Sequence, residues 1–238
     1  MIQLEQVTKD YRNLGRKTVP ALHGVDLTIT DGEMVALMGP SGSGTSTLMN
    51  IIGCLDLPTQ GRYLLDGTDV GRLSKRRLGK IRGRKIGFVF QSFDLISDVT
   101  VSRNVELPLV YAKARRSRRE SARIALEQVG LAGHHGDMPV ELFAAQRQKV
   151  FIARALINDP PILLDDEPTR DLDAESAGEI MALLTELNKT GRTIVFSTHE
   201  PEIAERAHRV VQLNEGLVVS DHPTAHSPQR KPPHLRAV

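Results

Sequence analysis

Short apolar runs that end in polar or acidic residues recur along the chain. They are MVALMG (34–39), GFVFQ (87–91), PILLDDEPT (161–169) and TIVFSTH (193–199). Runs of this length and kind predict buried strands. STLMNIIGCL (46–55), just after the first run, carries its apolar residues at helical spacing. The pattern turns helical from about Ser92 to Asn158, with a break around Gly130 to Pro139, and again from Ala174 to Asn188. The first third reads as a mainly antiparallel region with turns at Asp31-Gly32 and Asp66-Gly67. Strands alternating with helices predict an α/β class with a mixed sheet core. Open α/β sheets place ligands at the carboxyl ends of their strands, and several of these strand ends carry polar, chemically competent residues. No internal repeat is present, so a single unit is expected.

Composition narrows the class further. The chain has 238 residues, enough for one large domain with a subdomain. A net charge of +2 with 25% charged residues argues against a dedicated nucleic-acid binder. The single cysteine, Cys54, excludes a disulfide framework and is expected in the core on the helix after the first strand. The N-terminus lacks the pattern of a signal peptide, and no apolar run approaches a membrane span. Two basic stretches, Arg72 to Lys85 and Lys113 to Arg123, read as solvated helix surface, or alternatively as attraction to an anionic leaflet. The proline-rich, basic segment 222–238 is too poor in large apolar residues to offset its ordering entropy and is expected to be disordered.

The chemistry centres on Gly39 to Thr47, GPSGSGTST. A phosphate-binding loop reads Gly-x-x-x-x-Gly-Lys-Ser/Thr. Gly39, Gly44 and Ser46 match, but position 45 is threonine. Glycines 39, 42 and 44 let backbone N–H groups turn toward phosphate oxygens at the positive end of a helix. Ser46 is placed to offer its hydroxyl to Mg²⁺. Taken alone, the loop reads equally as a Gly/Ser turn. Asp166 could hold Mg²⁺, Glu167 could polarise a water, and His199 could contact a γ-phosphate. Singly, each also reads as a solvated strand end or a helix cap; together and in this order they point to one site.

The phrases GFVFQSFDLI, NVELPLVY, VFIARALINDPPILLDDEPTRDLD and FSTHEPEIAERAHRVVQLNEG resemble the nucleotide-binding subunit of an ATP-binding-cassette (ABC) transporter. The similarity is greatest to the branch serving lipoprotein-release, macrolide-export and FtsE-type systems. It runs from Ile2 to about Asp221, implying one ABC ATP-binding domain over 1–221 with a helical subdomain at about 92–158. The resemblance implies a P-loop NTPase fold with a mixed sheet, an antiparallel β region and that helical subdomain. It implies ATP and Mg²⁺ as ligands. Tyr11 would stack on adenine, and the loop residues Gly39, Ser41, Gly42, Gly44, Thr45, Ser46 and Thr47 would line the phosphates. Ser46, Gln91 and Asp166 would serve the metal. Glu167 becomes the general base, His199 the switch histidine, and Gln91 the residue sensing the membrane partner. Asp173 would face across a dimer. An integral-membrane permease, a homodimer or ABC heterodimer, and a cytoplasmic position at the inner face of the membrane follow from the same likeness.

Two departures bear on turnover. Family members carry Leu-Ser-Gly-Gly-Gln where this chain has Leu142, Phe143, Ala144, Ala145 and Gln146. In the family this signature closes on the γ-phosphate bound by the opposite subunit. Phe143 lacks the hydroxyl, and the alanines add methyl groups where backbone must approach closely. FAAQRQKVFIARAL reads instead as a plain helix. Thr45 removes the cation that neutralises the leaving phosphoryl group. Asp165, usually small or apolar in the family, adds a carboxylate next to Asp166, although adjacent strand residues face opposite ways. One lesion damages each of the two composite sites, so an intact partner would rescue neither. Low or absent hydrolysis is therefore expected, with a non-catalytic subunit that docks or binds nucleotide as the alternative.

Overall fold

Ile2–Arg12 (β1) and Thr18–Ile29 (β2) pair antiparallel, and β1 pairs on its other side with Gln60–Leu65 (β4). Between them in sequence, Met34–Met38 (β3) leads into the helix Thr45–Ile52 (α1). The computed structural model describes residues 1–12, 18–89, 95–112 and 117–228. Thr68–Asp69 (β5) completes the four-stranded antiparallel sheet, in the order β2-β1-β4-β5.

Lys75–Lys85 (α2) runs directly into Ile86–Val89 (β6). Three helices follow: Val101–Ala112 (α3), Arg118–Gln128 (α4) and Ala144–Leu156 (α5), which pack on one another. The chain then alternates Ile162–Asp166 (β7), Ala174–Lys189 (α6), Thr193–Thr198 (β8) and the short helix Pro201–Ala204 (α7). Arg209–Asn214 (β9) and Leu217–Pro223 (β10) close the fold. The second sheet runs β10-β9-β3-β8-β7-β6. Its strands are parallel except β10, which pairs antiparallel with β9. The sheet is mixed, as expected: the alternation of strands and helices accounts for its parallel part, and the β9–β10 pair for the antiparallel edge.

The apolar runs are continuous because this sheet is covered on both faces. Successive residues go to different cores. Leu163, Ile194, Phe196, Met34 and Ala36 join the helices α3 to α6. Leu164, Val195, Val35 and Leu37 join α1 and the antiparallel sheet. Cys54 is buried in the second core, two residues beyond the end of α1 rather than on it. Burial pushes its thiol up to about 11, so it is an inert core residue.

The last strand extends past the expected domain edge at Asp221. His222 pairs with Val210 and Pro223 with Arg209, and the Thr224 N–H donates to His208 O at 3.0 Å. Ladder bonds hold this part of the segment expected to be a tail. Residues 229–238 lie outside the described residues.

Asp165 does face away from Asp166, but into the interior. It is completely buried on the face that Leu163 shares with the helical core, and neither carboxylate oxygen has a hydrogen-bond partner among the described residues. Burial, and then the neighbouring Asp166 carboxylate, hold its carboxyl well above the usual range. The folded chain therefore keeps a proton that the unfolded chain loses near pH 4. Stability associated with this group is full below that pH and falls as pH climbs toward the folded value. Asp165→Val removes the buried carboxyl and should raise thermal stability by about 1–3 kcal/mol, or roughly 2–10 °C for a chain of this size. Melting curves from pH 5 to pH 8 should show the gain growing with pH. A lower melting temperature at every pH would mean that the carboxylate is supported by a partner.

Candidate functional site

The parallel register sets the strand ends level. Met38 pairs with Thr198, and Asp166 with Ser197, so the loops after β3, β7 and β8 open on the same side. The segment from Gly39 to Gly44 turns from β3 into α1. Gly44 caps that helix at φ 99, and a Cβ there would lie 2.7 Å from Ala21 O. At Gly39 a Cβ would lie 2.3 Å from Ser43 Oγ and 2.5 Å from Leu213 O. Backbone thus packs where side chains cannot fit, which is why glycine stands at both positions. The loop is tied down by Ser43 N–H to Pro40 O at 3.0 Å and Gly216 N–H to Ser43 O at 2.9 Å. Ser43 Oγ and Thr45 Oγ1 lie 2.7 Å apart, so the threonine hydroxyl is bonded within the loop. Ser46 is exposed.

Cross-strand hydrogen bonds organise the acidic side. Ser197 Oγ donates to Asp166 Oδ1 at 2.5 Å and accepts the Glu167 N–H at 3.0 Å. Glu167 has φ 60, a left-handed conformation rare for a side chain of its size. Such strain persists only where surrounding bonds hold it. His199 Nδ1 is 3.1 Å from both Glu167 carboxylate oxygens, and a proton on Nδ1 makes this a donated bond. With that proton on Nδ1, the neutral ring's Nε2 accepts; it donates only when both ring nitrogens are protonated.

A cavity of about 1090 Å³ joins these groups. It contains Gly39, Ser41, Gly42, Gly44, Thr45, Ser46 and Thr47 from the loop, and Asp166, Glu167 and His199 from the strand ends. Tyr11, with Val19, Pro20 and Ala21, closes one side from the antiparallel sheet. The Lys9 ammonium lies 5.0 Å from the Tyr11 ring centroid, a cation–π distance. Gln91 lies outside the described residues.

Sequence reading missed further contributors, Ser197, Thr169, Arg170, Asp171 and Glu200 among them. Ser197 was hidden as one polar residue in an otherwise apolar strand, though alternation places it beside Asp166. Thr169, Arg170 and Asp171 reach the same cavity through the turn after Glu167, in which the Arg170 N–H donates to Glu167 O at 3.2 Å.

The other candidate residues sit elsewhere within the chain. Leu142 is buried, whereas Phe143 is 79% exposed and immediately precedes α5. Helix α5 starts at Ala144, as the helical reading of FAAQ expects, with Ala144, Ala145 and Gln146 in its first turn. Phe143 has no side-chain atom to cap it; among the described residues, the side-chain bond at this end is Gln146 Oε1 accepting the Phe143 N–H at 2.9 Å. None of residues 142–146 lines the cavity. Asp173 caps α6, accepting the Ser176 N–H at 2.8 Å, and that backbone bond holds its carboxyl below the usual range.

Residues 22–170, more than half the chain, match the family model described as ABC transporter. An uncharacterised ABC transporter ATP-binding protein of Bacillus subtilis (strain 168), YknY, is 49% identical over 92% of this chain and 95% of its own length. The macrolide export ATP-binding/permease protein MacB of Escherichia coli is 47% identical over 93% of this chain, which spans 34% of that longer protein. Among solved structures, the dimeric ATP-binding cassette MJ0796, in a post-hydrolysis state bound to ADP and Pi, is 43% identical with a TM-score of 0.84. That match covers 94% of this chain and 98% of the other.

The loop geometry separates two glycines. Gly44→Ala meets both a left-handed φ and the Ala21 carbonyl, whereas a Cβ at Gly42, with φ 84, meets nothing within 4 Å. Gly42→Ala should cost about 1–2 kcal/mol from backbone conformation alone. Gly44→Ala should cost clearly more, because overpacking is added. Denaturant unfolding of the two variants checks this; equal losses would show that the Ala21 contact yields freely.

Proposed function

The chain belongs to the ABC transporter family, and we propose that it is the ATP-binding subunit of an exporter- or extractor-type transporter whose hydrolysis is impaired. The observation that carries the reading is the single cavity uniting the glycine loop with Asp166, Glu167 and His199. Backbone N–H groups of the loop and the N-terminus of α1 hold the phosphates of ATP. Tyr11 offers its ring to the base. Mg²⁺ ordinarily keeps several waters and takes one or two protein oxygens plus phosphates. Ser46 and Asp166 fit that donor set, with Gln91 as a third candidate, and when bound the ion would neutralise phosphate charge.

The protein groups then divide the work. Glu167 accepts the proton of an attacking water. As the imidazolium, His199 holds that carboxylate in place through Nδ1–H and donates from Nε2–H to the terminal phosphate. Two copies assemble as a dimer, with Asp173 and the 142–146 segment turned toward the opposite subunit. The homodimer and a heterodimer with a related cassette are both compatible with this surface. Membrane attachment comes through a permease, which places the subunit on the cytoplasmic side of the membrane. No helix among the described residues is long and apolar enough to cross a membrane. Gln91, Leu95 and Ile96 mark the docking region, and Ile96 is 46% exposed.

Two features support impaired turnover. The Thr45 hydroxyl is neutral and bonded to Ser43, so it cannot stabilise the charge that develops as the phosphoryl group leaves. Exposed Phe143 stands where a hydroxyl donor is needed across the dimer. The non-catalytic alternative shares the fold and the permease and differs only in having no turnover.

Steady-state phosphate release separates these readings. Wild type should stay near background, and Thr45→Lys or Phe143→Ser/Ala144→Gly/Ala145→Gly alone should recover little. Groups acting as a unit are strongly non-additive, so the combined variant should gain far more than the sum, and adding Glu167→Gln should abolish the gain. Robust wild-type hydrolysis that disappears with Glu167→Gln would overturn the claim of impairment. An inactive combined variant would favour the non-catalytic subunit.

A further inference from the structure

The phosphate loop lacks its lysine, yet the cavity it faces contains a cation. Among the described residues lining that cavity, Arg170 is the only lysine or arginine. The carboxylates there are Asp166, Glu167, Asp171 and Glu200; the remaining basic group, His199, is engaged with Glu167. Asp166 is held by Ser197, and Glu200 accepts from Thr169 Oγ1 at 3.4 Å. Arg170 is exposed and forms no ion pair with any described residue. Its position is set by backbone. The Arg170 N–H donates to Glu167 O, and left-handed residues on either side, Glu167 and Asp171, both at φ 60, fold the turn back over the strand ends.

We propose that Arg170 is the cation that binds the ground-state polyphosphate in this site, which the neutral Thr45 does not grip. This rests on the nucleotide reading above. A free guanidinium is suited to the task. It stays protonated at all relevant pH, and its fork of donors matches two phosphate oxygens. A lysine on the first turn of α1 would approach from the loop. Arg170 approaches from the acidic side, next to Glu167, and so reaches the terminal phosphates rather than the base. It also borders a second cavity of about 890 Å³ beside Phe151 and Leu172.

The test is calorimetric titration of Mg-ATP into wild type, Arg170→Met, Arg170→Lys and each of these with Thr45→Lys. Because Arg170 is exposed, the variants should keep the fold, which circular dichroism checks. Arg170→Met should weaken binding about ten- to a hundred-fold, the effect of losing one hydrogen bond to a charged group. Arg170→Lys should lose less. With Thr45→Lys present, the penalty for Arg170→Met should shrink, since two cations would then serve the same phosphates. If wild type binds Mg-ATP and Arg170→Met binds equally well, Arg170 does not hold the nucleotide and the site reading stands without it. If neither wild type nor Thr45→Lys binds, the nucleotide reading itself falls, and this proposal with it.

Discussion

Everything at the site depends on the parallel register of β3, β8 and β7. It sets Met38, Thr198 and Asp166 level at one edge of the sheet. A slip of one residue would turn each side chain to the opposite face. The register is fixed by burial on both faces: Leu163 and Phe196 belong to one core, and Leu164 and Val195 to the other. Ser197 then links the strand ends by bonding both Asp166 and the Glu167 N–H. The strained Glu167 backbone is affordable only on such a braced edge.

On this frame, scaffold and chemistry have separated. The glycine loop has close backbone approaches at Gly39 and Gly44, which suit the proposed phosphate cradle. On the proposed reading, the side chains that would act on the phosphates differ from the family pattern. Thr45 is neutral and turned to Ser43. Phe143 precedes the first turn of α5, which its side chain cannot cap. Neither change disturbs a core, since Thr45 sits at the cavity and Phe143 is exposed, so the fold tolerates both. A family likeness strong enough to set the architecture therefore says little about turnover rate, which depends on a handful of side chains.

Much of the fold was legible because buried parallel strands leave continuous apolar runs and the polar residues ending them mark the site. Asp166, Glu167 and His199 could be placed together for that reason. Other features depend on three-dimensional packing. Alternation predicted that Asp165 faces away from Asp166. Which helices cover that face, and hence that it is a buried carboxyl with no hydrogen-bond partner among the described residues, is a tertiary fact. Asp173, read through the resemblance as facing a dimer partner, carries the pattern of a helix N-cap and serves as one within the chain. Arg170 escaped notice because it enters the cavity through a turn with two left-handed residues, and neither Glu167 nor Asp171 advertises that conformation in sequence. The edge of the last strand was underestimated because pairing with β9 orders residues whose composition alone suggests a tail.

The central claim is that the site retains nucleotide and lacks turnover. A single-turnover experiment tests both parts at once. Excess wild-type protein is mixed with limiting radiolabelled Mg-ATP, and bound ATP and ADP are followed in time. The account predicts saturable retention of ATP with almost no conversion to ADP over many minutes. Rapid conversion that Glu167→Gln abolishes would contradict it.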